Sequence, residues 1–176
     1  RRAISSIKSS SMAMSKRCAG ACTAKDSLGV PDCDLVLIAG DIFGHPSVKR
    51  QLFWMNKFSV FVGNLDKRGI QWLMTPGNHD TMFEPDHCFL IPDSIKHRTL
   101  VDAVATVDDM LVYGSPWQKR FYDWSFNLDE PDLERKWSMI PDDTEILLLH
   151  SPPFGILDVN LGSPSLTARI KNLKKL

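Results

Sequence analysis

The sequence predicts a layered α/β domain, and three observations predict it. Short apolar runs stop abruptly at polar or glycine-containing loops: Leu35 to Ala39, Gln71 to Met74, Met110 to Tyr113 and Ile146 to Leu149. Unbroken runs of that length suit strands covered on both faces. An apolar stripe at helical spacing links the first two, which makes a βαβ unit. With 176 residues, 43% hydrophobic and 24% charged, the chain has enough apolar material for one domain core and too little length to expect two.

Residues 1–33 read as a basic, poorly structured segment ahead of the domain, which occupies 34–176. Arg1, Arg2, Lys8, Lys16, Arg17 and Lys25 all precede the first acidic residue, Asp26, in a Ser- and Ala-rich setting. That composition loosely resembles a transit peptide, but no apolar period holds there, so a solvated tail and a cytoplasmic location are expected. Cys18 and Cys22 have a zinc-compatible spacing without a second Cys/His pair nearby. Together with Cys33 and Cys88 they are too few and irregular for a disulfide framework, and free thiols are expected.

Within the domain, Val48, Leu52, Met55 and Val62 keep helical spacing, widened by Phe58 and Phe61. Ala103 to Val107, Asp108-Asp109 and Met110 to Tyr113 read as a β-hairpin. Leu166, Ile170 and Leu173 predict a helix that begins near Ser165 and is still running at Leu176. The formal net charge is zero and no apolar run reaches membrane-spanning length, so neither duplex nucleic acid nor a membrane is expected as a partner. Oligomeric state is not legible.

Asp41, Asn78, His79 and His150 each follow a predicted buried strand. In α/β folds, ligand sites gather at the carboxyl ends of strands. A carboxylate, an amide oxygen and an imidazole suit a divalent ion such as Mn, Fe or Zn. Such an ion would polarise a phosphoryl oxygen and lower the pKa of bound water, so that hydroxide is available near neutrality.

Gly40-Asp41, then Gly77-Asn78-His79-Asp80, then His150 closing a strand match in order and spacing the central motifs of the calcineurin-like metallophosphoesterases. The stretch from Tyr113 to Pro153, with its GSPW and HSPPFG segments, resembles more narrowly the metallophosphoesterase-domain-containing (MPPED-type) phosphodiesterases. The resemblance covers 34–176. It implies an α/β/β/α sandwich of mixed sheets flanked by helices, incomplete here, and hydrolysis of a phosphodiester or cyclic nucleotide by a metal-activated hydroxide. It implies that Asp41 bridges two metal ions, that Asn78 and His150 bind the second, and that His79 is the catalytic acid, with Asp80 behind it fixing the loop. Mn is the first choice of metal, with Fe, Zn or Mg as alternatives. Trp117 and Asn78 are the candidate substrate contacts. Trp117, Phe121, Tyr122, Trp124 and Phe126 suit core packing under a long loop, the preferred reading, or a stacking wall for a nucleobase.

The sequence departs from the family in three places. No Asp-x-His strand end precedes Gly40, no Gly-His-x-His-like strand follows the last helix, and Gly44 stands where the family commonly has an acid that orients the catalytic His. The expectation is a domain truncated at both ends that holds at most one ion. The alternative is a non-catalytic, truncated or degenerate relative that keeps the scaffold and binds a metal, nucleotide or protein partner. A Ser/Thr protein phosphatase would show Val-Asp-Arg-Gly after Gly-Asp and Arg before Gly-Asn-His, where this chain has Ile42-Phe43-Gly44 and Pro76.

Overall fold

Side chains alternate faces along a strand, so a strand that is apolar at every position must be covered twice. A computed structural model describes residues 12–15, 30–158 and 160–176 and shows how that is met. The elements run β1 (Met12–Ser15), β2 (Leu35–Ala39), α1 (Val48–Lys67), β3 (Gln71–Thr75), α2 (Asp93–Lys96), β4 (Ala103–Val107), β5 (Met110–Ser115), β6 (Gln118–Lys119), β7 (Asn127–Leu128), α3 (Glu130–Ser138), β8 (Ile146–Leu149) and α4 (Pro164–Lys171).

One sheet has the order β1-β2-β3, with β1 antiparallel and β3 parallel to β2. The second has the order β4-β5-β8, antiparallel then parallel. Leu35, Leu37 and Leu73 of the first sheet meet Val107, Val112 and Leu148 of the second, forming the layer between them. The alternate residues Val36, Ile38, Trp72 and Met74 face outward onto Met55, Phe58, Val62 and Leu65 of α1. On the far side, Tyr113, Leu147 and Leu149 pack with Leu133 and Trp137 of α3 and Leu166 of α4. Helix, sheet, sheet, helix is therefore the layering, with both sheets of mixed direction.

The β4/β5 hairpin forms where expected, with Val107 opposite Met110. Asp108 and Asp109 both take positive φ, 48° and 64°. That is the requirement of a type I′ turn, and a short polar side chain tolerates it.

Three expectations need correcting. The buried stripe of α1 is Gln51, Met55, Phe58, Val62 and Leu65, while Leu52 is 41% exposed. An apolarity rule selects Leu52 and overlooks Gln51, which is buried because its amide is fully hydrogen-bonded. Second, α4 stops at Lys171 and is capped by Asn172. Beyond it, the Lys174 N–H donates to Asp142 O at 3.0 Å, and Arg169 binds Ile140 O and Asp142, so the chain turns back onto the 140s loop. Third, α3 has no counterpart in the periodicity reading, although its signals are present: Pro131 in the first turn, and Leu133 and Trp137 four apart.

Ahead of Asp34, Val30 is buried against α1, and Arg68 donates to Val30 O and Pro31 O. Strand β1 also falls inside the stretch read as a tail. Cys18, Cys22 and the basic residues up to Lys25 lie outside the described residues. Cys33 and Cys88 pack against the core under α1. Among the described residues no helix is long and apolar enough to cross a membrane.

One polar residue joins the two helices of the outer layer. Ser163, fully buried, caps α4 by accepting from the Leu166 N–H at 3.2 Å. The same hydroxyl accepts from Trp137 Nε1 at 2.9 Å and donates to Glu130 Oε1 at 2.8 Å. Ser163→Ala leaves the indole N–H of a buried tryptophan without its acceptor as well as removing a cap, at an expected cost of about 2–3 kcal/mol. Urea unfolding checks this; a loss below about 0.5 kcal/mol, the scale of ordinary surface changes, would show that the hub is dispensable.

Candidate functional site

β2 runs out into Gly40-Asp41, β3 into Pro76-Gly77-Asn78-His79-Asp80, and β8 into His150. Because β8 lies in the second sheet, these loops meet at the junction of two sheets and not along one sheet edge. His150 crosses that junction: its Nδ1 donates to Ala39 O at 3.0 Å. The carbonyl can only accept, so Nδ1 must carry the proton.

That requirement turns Nε2 toward two oxygens. Asn78 Oδ1 lies 2.7 Å from it and Asp41 Oδ1 3.6 Å. With the proton on Nδ1, a neutral His150 presents a lone pair there, so three acceptors from three strand ends converge with no proton among them. A shared cation, either a metal ion or a second proton on the ring, suits that closeness. Among the described residues no group of three His, Cys, Asp or Glu that could hold a metal ion lies together; this set has one carboxylate, one imidazole and, as its third member, the amide of Asn78. Imidazole nitrogen, carboxylate and amide oxygen fit a borderline-to-hard divalent ion.

Two glycines make the convergence possible. A Cβ on Gly40 would lie 2.5 Å from Gly77 N and 2.7 Å from His150 Nδ1, and φ there is +84°. A Cβ on Gly77 would lie 2.4 Å from both Asp41 N and Asp41 Oδ1. No real side chain survives such contacts, so the Gly-Asp and Gly-Asn pairs are dictated by the approach of the two loops. Asp41 itself sits at φ 55° and stays open to solvent.

The His79 loop is held from three directions. Its N–H donates to Asp41 Oδ1 at 3.1 Å. Its carbonyl accepts from Gln51 Nε2 at 2.6 Å; the same amide also donates to His45 O, and its oxygen accepts from the Met82 N–H. Asp80 is fully buried, and its two oxygens accept from the Phe43 and Gly77 N–H groups at 3.0 and 2.8 Å. Both oxygens are thus taken up by the backbone of the two loops. Among the described residues His79 Nδ1 is buried without a hydrogen-bond partner, and nothing lies within 4 Å of where a Gly44 Cβ would stand. His45, next to it, accepts from the Ser47 N–H and is exposed.

A second loop covers this one. The Ser125 N–H donates to Asn78 O at 3.2 Å, and its hydroxyl to Thr81 Oγ1 at 3.0 Å. Trp124 thereby lies against His79, ring centres 4.4 Å apart. Trp117 is committed elsewhere: its Nε1 donates to Asp102 Oδ2 at 2.8 Å, its ring meets Phe126 edge-on, and Lys136 lies over it. The structure thus brings together Asp41, Asn78, His79 and His150, sets Asp80 behind them, and places Trp117 under the aromatic loop. Gln51 and the Trp124–His79 contact escaped the sequence reading. A polar residue at a helix position that faces the core was the available signal for Gln51.

A family model of calcineurin-like phosphoesterases matches residues 19–172. Metallophosphoesterase domain-containing protein 1 of Homo sapiens is 31% identical over 159 residues, covering 76% of this chain and 46% of that protein. UPF0046 protein K07C11.7 of Caenorhabditis elegans is 27% identical over 146 residues, 73% of this chain and 47% of its own length. UPF0046 protein T07D4.2 of the same organism is 40% identical over 57 residues, 32% of this chain and 14% of its own. The chain spans about half the length of the human relative it matches.

Burial pushes the Asp80 carboxyl up from 3.8 to about 6, against backbone N–H groups of Gly77, Phe43 and Ile42 and with the help of the Asp41 charge. A carboxyl whose folded pKa is raised stabilises the fold fully below its unfolded value and loses that contribution as pH rises through the folded value. In the metal-free chain, the stability of wild type relative to Asp80→Asn should therefore fall by about 2–3 kcal/mol as pH rises from 3.8 through about 6. Denaturant titrations across that window check it; a constant difference would mean that Asp80 stays ionised in the fold.

Proposed function

The chain belongs to the calcineurin-like phosphoesterase family, and from that premise we propose that it serves the metal-dependent hydrolysis of small phosphodiesters, cyclic nucleotides among them. The observation that supports this best is the meeting of three strand ends at one point, with Asn78 Oδ1 2.7 Å and Asp41 Oδ1 3.6 Å from His150 Nε2. Those three side chains would hold a divalent ion, with Mn the first choice and Fe, Zn or Mg as alternatives. When bound, the ion supplies Lewis-acid polarisation and a lowered pKa for attacking water.

The remaining work falls to the protein. Ala39 O keeps His150 in the tautomer whose Nε2 is free to ligate. The His79 backbone is tied to Asp41, and its imidazole would be the group that gives a proton to the leaving oxygen. Asp80 and Gln51 hold the loop that carries both Asn78 and His79.

A second reading is a scaffold that binds one ion without turnover. It is favoured by His79 Nδ1, without a partner among the described residues, and by the space that those residues leave open at Gly44. Hydrolysis separates the two: metal-loaded chain that binds ion yet leaves bis(p-nitrophenyl) phosphate and cyclic nucleotides intact supports the scaffold.

Calorimetric titration with Mn should find about one weak site, abolished by Asp41→Ala, since the cluster offers three protein ligands. Tight binding of two ions would contradict that count. His79→Ala should lower phosphodiester turnover by about a hundredfold with little change in KM, the loss typical of a missing general acid. Unchanged turnover would remove His79 from the reaction.

A further inference from the structure

Five aromatic residues crowd the segment from Trp117 to Phe126, and core packing explains only two. Phe126 is buried and Trp117 is bonded to Asp102. Phe121 and Tyr122 are 37% and 71% exposed, and Trp124 is half-buried. Single exposed apolar residues are ordinary on a protein surface; adjoining rings beside a ligand cluster are a different matter. The three rings touch one another, with centroids 4.5 Å apart for Phe121–Tyr122, 5.5 Å for Phe121–Trp124 and 5.3 Å for Tyr122–Trp124. Trp124 continues the surface directly onto His79.

The loop that presents them is braced. Asn127 Nδ2 donates to both Phe121 O and Tyr122 O, and Gln118 Nε2 in turn donates to Asn127 Oδ1. Ser125 bolts the other end to Asn78 and Thr81. Tyr122 is held at φ 51°, a left-handed backbone that is costly for a bulky side chain. A strained residue whose ring the core does not use points to a ligand.

We propose that Phe121, Tyr122 and Trp124 form a stacking platform that takes a flat aromatic group of the substrate, so that the preferred esters are those of nucleosides or aryl alcohols. The phosphate end of this assignment rests on the reading of the Asp41, Asn78 and His150 cluster given above; the platform itself does not. His79 links the two ends, its ring against Trp124 and its N–H on Asp41. Aromatic faces stack on any planar ring, so the platform selects for flatness and not for a particular base.

Phenyl phosphate and cyclohexyl phosphate test this, since they share a phosphate and a six-membered ring and differ in flatness. Binding to the full Mn-loaded chain, followed by calorimetry, should favour phenyl phosphate by about tenfold, the low end of stacking on an aromatic residue. Tyr122→Gly keeps the fold because glycine accepts the positive φ. It should erase the preference while cyclohexyl phosphate and Mn bind as before. Equal binding of the two esters to the wild type, or a preference that survives Tyr122→Gly, overturns the platform. Phenol, followed by saturation transfer to its ring protons, separates the two claims. Phenol bound at the wild-type loop and lost in Tyr122→Gly, with neither ester nor Mn bound, sinks the phosphate reading and keeps the platform; no phenol signal and no ester preference sink the platform even where Mn binds.

Discussion

The hydrogen bond from His150 Nδ1 to Ala39 O is the contact on which the rest of the site depends. It joins the end of β8 to the end of β2, strands of different sheets, and it does so with a side chain that has only one other nitrogen to offer. Committing Nδ1 leaves Nε2 as the lone pair that faces Asn78 and Asp41. The sandwich is therefore more than a frame here: the stacking of Leu35, Leu37 and Leu73 on Val107, Val112 and Leu148 sets the separation at which that bond can form. A change in the packing between the sheets would be felt as a displaced His150 side chain.

The same closeness explains why supports are polar and buried. Gly40 and Gly77 must approach without side chains, which leaves two loops with little apolar surface to hold them. Asp80 clamps them together from below through the Phe43 and Gly77 N–H groups, and Gln51 clamps the next turn from α1. Burying a carboxyl and an amide is costly, and each is satisfied by backbone groups that would otherwise be unpaired. Raising the Asp80 pKa is the visible consequence of that choice. The aromatic loop adds a third constraint from above, through Ser125.

Much of the scaffold was legible. β2 and β8 end where their apolar runs end, because strands covered on both faces have no polar position to blur the boundary. The hairpin was legible from its paired Asp residues, and the strand-end positions of Asp41, Asn78, His79 and His150 from the apolar runs before them. What escaped was whatever depends on partners distant in sequence. Leu52 and Gln51 exchange their expected roles because hydrogen bonds to His45, His79 and Met82, invisible to periodicity, make the amide the better core residue. The stop of α4 depends on Asp142 and Ile140, far back along the chain. That the site lies between two sheets could not be read from strand ends alone, since apolar runs do not say which sheet a strand joins. Trp124 was visible as one of five aromatic residues, but only its contact with His79 separates it from Trp117.

The central claim is that the fold dictates which nitrogen of His150 is free for a cation. Long-range proton–nitrogen NMR of the histidine rings, with Zn as a diamagnetic ion, tests it directly. The account predicts that Nδ1 of His150 carries the proton before and after titration, and that only the Nε2 resonance moves as Zn is added. A proton found on Nε2 alone, with Nδ1 responding to the metal, would contradict it.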